Sequence, residues 1–268
     1  MTATVERWEA CGNVYLLVER SDLPRALDAV AARAMASPTD GLGGDGVLEL
    51  DRDANTADVT MRIWNPDGSL TEACGNGTRM VARWISQRIG RDDVRVATDA
   101  GVLACHVDGE QVTAAMAPAT LAGPQYQPGD SDFPYPHRFV SIGNPHVVIP
   151  VGDVAAFPLE REGPLLEHHA WFPERVNVEI TMPIDRHRIR MRVWERGVGE
   201  TLACGSGACA AAVAAVMADT AASPITVEVP GGELVVEVGE NRSVTLTGPA
   251  RQIEICSLPV GIAEMLAN

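Results

Sequence analysis

The sequence predicts an α+β protein of two pseudo-symmetric domains, each a mixed β-sheet wrapped around a central helix. Three observations point there. Residues 61–77, MRIWNPDGSLTEACGNG, return in altered form as residues 191–207, MRVWERGVGETLACGSG, so that Met61, Arg62, Trp64, Thr71, Ala73, Cys74, Gly75 and Gly77 each meet the same residue type 130 positions later. A Gly-Asn pair followed by an apolar run opens each half, at Gly12 and Asn13 and again at Gly143 and Asn144. Around these landmarks the halves repeat one order of strands, a glycine-rich helix start and further strands, a pattern that buries its apolar faces by wrapping sheet on helix.

Taken in order, the first half opens with a strand over 14–19 and a helix over 22–35, with Asp22 as N-cap and Leu23, Ala26, Leu27, Val30 and Ala31 in helical period. The glycines of 41–46 form a tight turn beside the site and lead into a strand over 47–50. Their spacing fits neither nucleotide-binding fingerprint. A strand over 59–64, a turn over 65–68 and a helix over 75–89 follow; Met80, Val81, Trp84 and Ile85 share one face and Gly90 supplies the stop. Two strands, 94–98 and 102–107, are joined by the turn 99–101. The Pro-, Gly- and Asp-rich stretch 118–136 reads as a linker. In the second half, strands fall at 139–142, 147–151, 176–180 and 189–194, a helix runs over 207–217, and strands at 225–229 and 233–238 mirror the pair after the first helix. The domains are expected at 1–118 and 119–257, with 258–268 packing back on the first.

A chain of 268 residues, 46% hydrophobic and 21% charged, buries a sizeable core. The polar start at Met1 lacks the basic and apolar regions of a signal peptide. The most apolar helix candidate, 208–218, is too short and too alanine-rich to span a bilayer. A soluble, cytoplasmic protein is expected. Six cysteines, four of them scattered singly (Cys11, Cys105, Cys209 and Cys256), do not make a disulfide framework. A formal net charge of −15 without a dense basic patch argues against nucleic acid or an anionic membrane as partner. All 21 basic residues are arginine. Without lysine the chain can form neither the Schiff base of pyridoxal-phosphate chemistry nor a P-loop.

A cysteine just ahead of Gly-Asn-Gly or Gly-Ser-Gly at a helix start sits among unpaired N–H groups at the positive end of the helix dipole. That setting is expected to lower the pKa of a thiol and to hold a carboxylate. If Cys74 and Cys204 face one carbon, a thiolate on one side takes its proton while a thiol on the other delivers one, and the helix ends stabilise the charge that develops. This inverts an amino-acid stereocentre with no cofactor. The four single cysteines read instead as small buried hydrophobes. A structural disulfide between Cys74 and Cys204 is disfavoured in the cytoplasm. Zinc held by Cys74, Cys204 and His146 lacks any supporting ligand spacing, so no metal is expected.

The strings NPDGSLTEACGNGTR, GNPH, FPERVN and ERGVGETLACGSGACAA resemble those of the diaminopimelate epimerase family of pyridoxal-independent amino-acid epimerases, and the match is spread over nearly the whole chain. Proline racemases share the two-cysteine logic but usually carry Gly-His-Gly where this chain has Gly75, Asn76 and Gly77. The resemblance implies repeated sheets around central helices, a cleft between the domains, a homodimer, and interconversion of LL- and meso-diaminopimelate for lysine and, in many bacteria, peptidoglycan synthesis. It implies that Cys74 and Cys204 are the acid/base pair, and that Gly75, Asn76, Gly205 and Ser206 supply helix-end donors for the reacting carboxylate. Asn13, Asn144, His146 and Glu195 orient the ligand, the last two near the ammonium at the reacting centre. Asn65, Asn177 and Arg196 contact the distal amino-acid group, for which an arginine fork and asparagine amides are chemically suited.

Two positions depart from the family pattern. Glu9 stands where a His or Ser is usual and Val14 where an Asp is usual, which removes polar groups near the reacting end; Gly46 stands where some members have Gln. These departures leave open a related racemase acting on another amino acid, such as histidine or a specialised-metabolite precursor. A non-catalytic amino-acid-binding module would use the same cleft without exchanging the α-proton.

Overall fold

A computed structural model describes residues 3–52, 56–121 and 133–267. Most of the expected linker over 118–136 lies outside the described residues. The chain forms two compact units, Met1–Ala114 with Gly248–Asn268, and Ala115–Thr247. The return to the first unit thus comes before residue 258, the point expected from sequence.

The first unit contains β1 (Thr4–Ala10), β2 (Asn13–Glu19), α1 (Ala29–Ala36), β3 (Val47–Asp51), β4 (Val59–Trp64), β5 (Leu70–Thr71), α2 (Gly75–Ile89), β6 (Asp93–Thr98), β7 (Gly101–Asp108) and, at its end, β8 (Gln111–Met116). The second contains β9 (Arg138–Ser141), β10 (Pro145–Pro150), α3 (Leu159–Glu167), β11 (Asn177–Asp185), β12 (Arg188–Glu195), β13 (Gly199–Thr201), α4 (Gly205–Met217), β14 (Ile225–Val229), β15 (Gly232–Val238) and β16 (Val244–Pro249). The chain closes with β17 (Arg251–Ser257) and α5 (Val260–Ala267).

The pairings repeat element by element. Strands β2 and β3 are parallel, β3 with β4 and β4 with β5 antiparallel, and β4 with β6 parallel. Strands β10 and β11 are likewise parallel, β11 with β12 and β12 with β13 antiparallel, and β12 with β14 parallel. Helix α2 touches β1, β2, β4, β6 and β7, and α4 touches β9, β10, β11, β12, β14 and β15. Each unit is therefore a mixed sheet wrapped around one central helix.

Helix α2 starts where Cys74, in an extended conformation, caps it, and stops at Gly90, whose φ of 68° is the left-handed geometry that glycine adopts without strain. Its buried side chains Met80, Val81, Trp84 and Ile85 contribute roughly 1.5–3 kcal/mol apiece. The indole N–H of Trp84 donates to Glu6, which also accepts from Trp8 and Gln252 and pairs with Arg88. Helix α4 is buried almost all round through Ala208–Ala214, and alanine keeps its backbone close to the strands around it. It begins at Gly205, two residues ahead of the expected start, because the Cys204 sulfur already caps the N–H of Gly207.

Three expectations need correction. The helix expected over 22–35 is instead a 3-10 turn at Arg20–Asp22, an extended stretch, and then α1. Pro24 pushes Leu23 to φ −100°, ψ 140°, and Asp28 rather than Asp22 caps the helix by accepting from Val30 and Ala31. Strands β1, β5, β8, β13, β16 and β17 and helix α3 were not expected; Pro164 inside α3 masks its period. Strand β17 pairs antiparallel along β1, and Leu258 ahead of α5 joins Ile262 and Leu266 of α5 in the core formed by α1, β2 and β3.

Candidate functional site

In the first unit the site gathers at the start of α2. The Cys74 sulfur accepts from the Gly77 N–H at 3.3 Å, and its thiol donates to the Tyr15 hydroxyl at 3.5 Å. Asn76 donates through Nδ2 to Asn13 Oδ1 at 2.8 Å and accepts on Oδ1 from Arg79 at 2.7 Å. Arg79 is wholly buried and also donates to the carbonyl of Gly75, so its charge is spread over the helix end that carries the cysteine. Thr78 closes the turn by donating to the Cys74 carbonyl. The glycine run does lie beside these residues. A Cβ at Gly46 would fall 2.7 Å from the Tyr15 ring and 2.4 Å from the Trp64 carbonyl, at a φ of 154°; only glycine leaves room for the phenol.

The expected loss of polar groups at Glu9 and Val14 is reversed by the fold. The Val14 N–H donates to Asp45 Oδ2 at 2.7 Å and Asn13 Nδ2 lies 3.5 Å from the same oxygen, while Glu9 accepts from the Gly12 N–H at 2.7 Å. A carboxylate therefore still stands at the Asn13 turn, supplied by the loop that precedes β3.

In the second unit the site gathers at the start of α4. The Cys204 sulfur accepts from the Gly207 N–H at 3.4 Å and lies 3.5 Å from the Ser206 hydroxyl. Asn144 donates through Nδ2 to Ser206 at 3.3 Å, and its Oδ1 lies 2.9 Å from Nε2 of His146. The other imidazole nitrogen, Nδ1, is 2.7 Å from Glu179, and both of these side chains are wholly buried. Glu195 accepts from Thr201 at 2.5 Å and is hydrogen-bonded by the Cys204 thiol. Burial pushes the Glu195 carboxyl up, against those two hydrogen bonds, which pull it down.

The expectation that the helix start lowers the pKa of both thiols does not hold at Cys204. Burial raises that thiol well above its ordinary value, the Glu195 and Glu179 carboxylates add to the rise, and the bonds from Ser206 and Gly207 only partly oppose it. Desolvation thus outweighs the helix dipole there, and the resting group is the thiol.

Of the three residues expected at the distal group, two meet. Asn177 Oδ1 accepts from the Arg196 N–H at 2.9 Å and its Nδ2 donates to the Pro145 carbonyl at 2.9 Å, so this amide ties the start of β11 to β10 and to the turn after β12. The exposed Arg196 guanidinium donates to the Glu174 carbonyl at 3.3 Å. Asn65 belongs to the first unit, where it closes the 65–69 turn through Ser69. Tyr15, Asp45, Glu179 and Thr201 escaped the sequence reading. Tyr15 and His146 are each the third residue after the glycine of a Gly-Asn pair, and Glu179 lies on the same strand face as Asn177; the period of two was the available signal for it.

The family model described as diaminopimelate epimerase matches residues 9–122 and 138–253. The chain is 40% identical to the diaminopimelate epimerase of Magnetococcus marinus, across 93% of this chain and 96% of that one. It is 38% identical to that of Pseudomonas entomophila, across 90% and 94%. Among solved structures, a phenazine biosynthesis protein of the PhzF family from Bacillus anthracis superposes with a TM-score of 0.72 at 15% identity, covering 97% of this chain and 100% of that one. At that identity the likeness is one of fold.

Proposed function

Because the chain belongs to the diaminopimelate epimerase family, we propose that it interconverts LL- and meso-diaminopimelate by inverting one α-carbon with two cysteines and no cofactor. One observation carries the assignment of bases. Cys74 and Cys204 each cap their own helix in the same way, sulfur on the third N–H, within a repeated sequence. A core cysteine has no need of that position twice.

The chemistry follows from the helix starts. The first N–H groups of a helix have no intrahelical acceptor, so the N–H groups of Gly75 and Asn76 and those of Gly205 and Ser206 suit the reacting carboxylate. These N–H groups donate more strongly to the carboxylate oxygens as negative charge builds there when the Cα–H bond breaks. One sulfur, as thiolate, takes the α-proton; the other, as thiol, delivers its own to the opposite face, and the roles exchange in the reverse direction. Asn13, Asn144, His146 and Glu195 orient the reacting amino-acid head, and Asn65, Asn177 and Arg196 receive the distal one. The enzyme acts in the cytoplasm, and the family resemblance supports a homodimer.

The test is to incubate the purified protein in deuterated water with LL-diaminopimelate and, separately, with histidine, proline and other single-headed amino acids. Deuterium at Cα and formation of the meso isomer are expected with diaminopimelate alone. Exchange with a single-headed amino acid instead supports a racemase of different substrate, and binding without exchange supports a non-catalytic module.

A further inference from the structure

We infer that Glu179, through the imidazole of His146, fixes the direction of a hydrogen-bond relay that ends with the Ser206 hydroxyl donating to the Cys204 sulfur. Glu179 touches no reacting group; its part is that of a positioning residue. The inference rests on the proposed role of Cys204, and its test reads the sulfur rather than the reaction.

The direction follows from donor and acceptor counting. Asn144 Nδ2 donates to Ser206, so the amide oxygen of Asn144 faces His146 Nε2 at 2.9 Å. A carbonyl oxygen only accepts, so Nε2 carries a proton. Nδ1, 2.7 Å from Glu179, then shares one further proton with that carboxyl group, either as imidazolium with carboxylate or as neutral imidazole with carboxylic acid. Both distributions leave the wholly buried pair without net charge, the condition under which such a pair escapes the largest desolvation cost. Ser206 Oγ accepts from Asn144 Nδ2 and lies 3.5 Å from the Cys204 sulfur, a pair in which either atom can donate; the inferred relay makes the serine the donor. The Glu195 carboxyl group also lies within hydrogen-bonding reach of this sulfur. With serine as donor, the sulfur accepts from both Ser206 and Gly207, two bonds that offset part of the cost of burial and of the nearby carboxylates once its proton leaves.

The packing around Glu179 is built for this one side chain. A Cβ at Gly207 would lie 2.8 Å from Glu179 Oε1, so the helix start admits the carboxyl group only because position 207 is glycine. The second oxygen, Oε2, is buried with no hydrogen-bond partner among the described residues, leaving His146 as the group through which the carboxyl acts. In the matched place of the first unit, leucine lies over the glycine: the Leu48 methyl groups are 3.3 Å from a Cβ at Gly77, and Tyr15 reaches Cys74 directly. The relay belongs to one half of the repeat alone.

The test compares modification rates of Cys204 and Cys74 by methyl methanethiosulfonate across pH, read by peptide mass, in the native chain and in Glu179→Gln and Glu179→Leu. Glutamine donates its amide N–H to Nδ1 and keeps the proton on Nε2, so Cys204 is expected to react within about twofold of native. Leucine leaves the imidazole tautomer unset, and Cys204 is expected to react about tenfold more slowly at neutral pH, the loss of one donor to a charged acceptor. Cys74 serves as the internal reference and is expected to keep its rate in both variants. If Glu179 acted only as a negative charge beside Cys204, both variants would react faster, and that result overturns the relay. So does an unchanged rate in a folded Glu179→Leu. If the leucine variant does not fold, Glu179→Gln decides alone: a rate near native supports the relay and an accelerated one overturns it. Loss of diaminopimelate turnover in the native enzyme would count against the proposed function and leave these sulfur rates readable.

Discussion

The two helix starts share a cap and differ in everything behind it. At α2 the sulfur is partly exposed and meets a phenol, with leucine over the adjoining glycine. At α4 the sulfur is buried, Glu195 and Ser206 lie beside it, and a buried His146–Glu179 pair stands where the first unit has Tyr15 and Leu48. The repeat keeps the sulfur cap and lets the surroundings diverge. A catalyst that must present a different stereoisomer to each sulfur has no use for identical surroundings, and the difference teaches which features belong to proton transfer and which to telling two faces of a carbon apart.

The largest expected effect tests the shared part. Cys74→Ala and Cys204→Ala are each expected to lower turnover by about 10³-fold, since each removes a base that the other cannot replace. A variant that keeps a tenth of native turnover would mean that one helix start is structural. Next comes glycine against glycine. Gly207→Ala drives a methyl into the fixed carboxyl group of Glu179 and is expected to cost about 2 kcal/mol in denaturant unfolding. Gly77→Ala meets the Leu48 methyls, which can rotate, and the Cys74 Cβ at an ordinary 3.5 Å, and the gain of about 1 kcal/mol for alanine over glycine in a helix is expected to offset the contact. Equal costs at the two positions would break the asymmetry.

A smaller effect is read in pH. Because the Cys204 thiol is raised by burial and by its two carboxylates, its thiolate fraction at any given pH is lower than that of an ordinary thiol. Its modification is expected to lag that of the less buried Cys74 at pH 8 and to keep climbing as the pH is raised further. Peptide-resolved labelling measures both. The smallest effect is at Tyr15→Phe, which removes one neutral hydrogen bond from Cys74 and is expected to lower kcat/KM about fivefold, the equivalent of about 1 kcal/mol.

Much of this was readable before folding. The helix over 75–89, its glycine stop and the paired cysteine starts come from local signals: capping residues, a 3.6-residue period and glycine where φ is positive. The repeat itself announced two wrapped helices. What escaped depends on chain segments far apart. Nothing near Thr4–Ala10 reveals that Arg251–Ser257 pairs with it. The late start of α1 is the exception, a local signal passed over: Pro24 keeps Leu23 extended and Asp28 supplies the cap. Asp45 carried no signal in the sequence and Glu9 stood out only as a departure from the family pattern, yet the fold brings both to the Asn13 turn. Glu179 sits among valine and isoleucine in β11, where a buried acid makes sense only once His146 is seen across the strand pair.

Isotope placement during the first few per cent of reaction tests the two-base claim most directly. LL-diaminopimelate is incubated in deuterated water, and product and remaining substrate are separated and weighed by mass. Two monoprotic sulfurs deliver a solvent-derived deuteron to the product and return the abstracted proton to the substrate, so the meso product is expected to carry deuterium at the inverted carbon while recovered substrate stays protiated. Product that retains the substrate's own proton, or deuterium appearing equally in both species from the start, would contradict a separate base for each face.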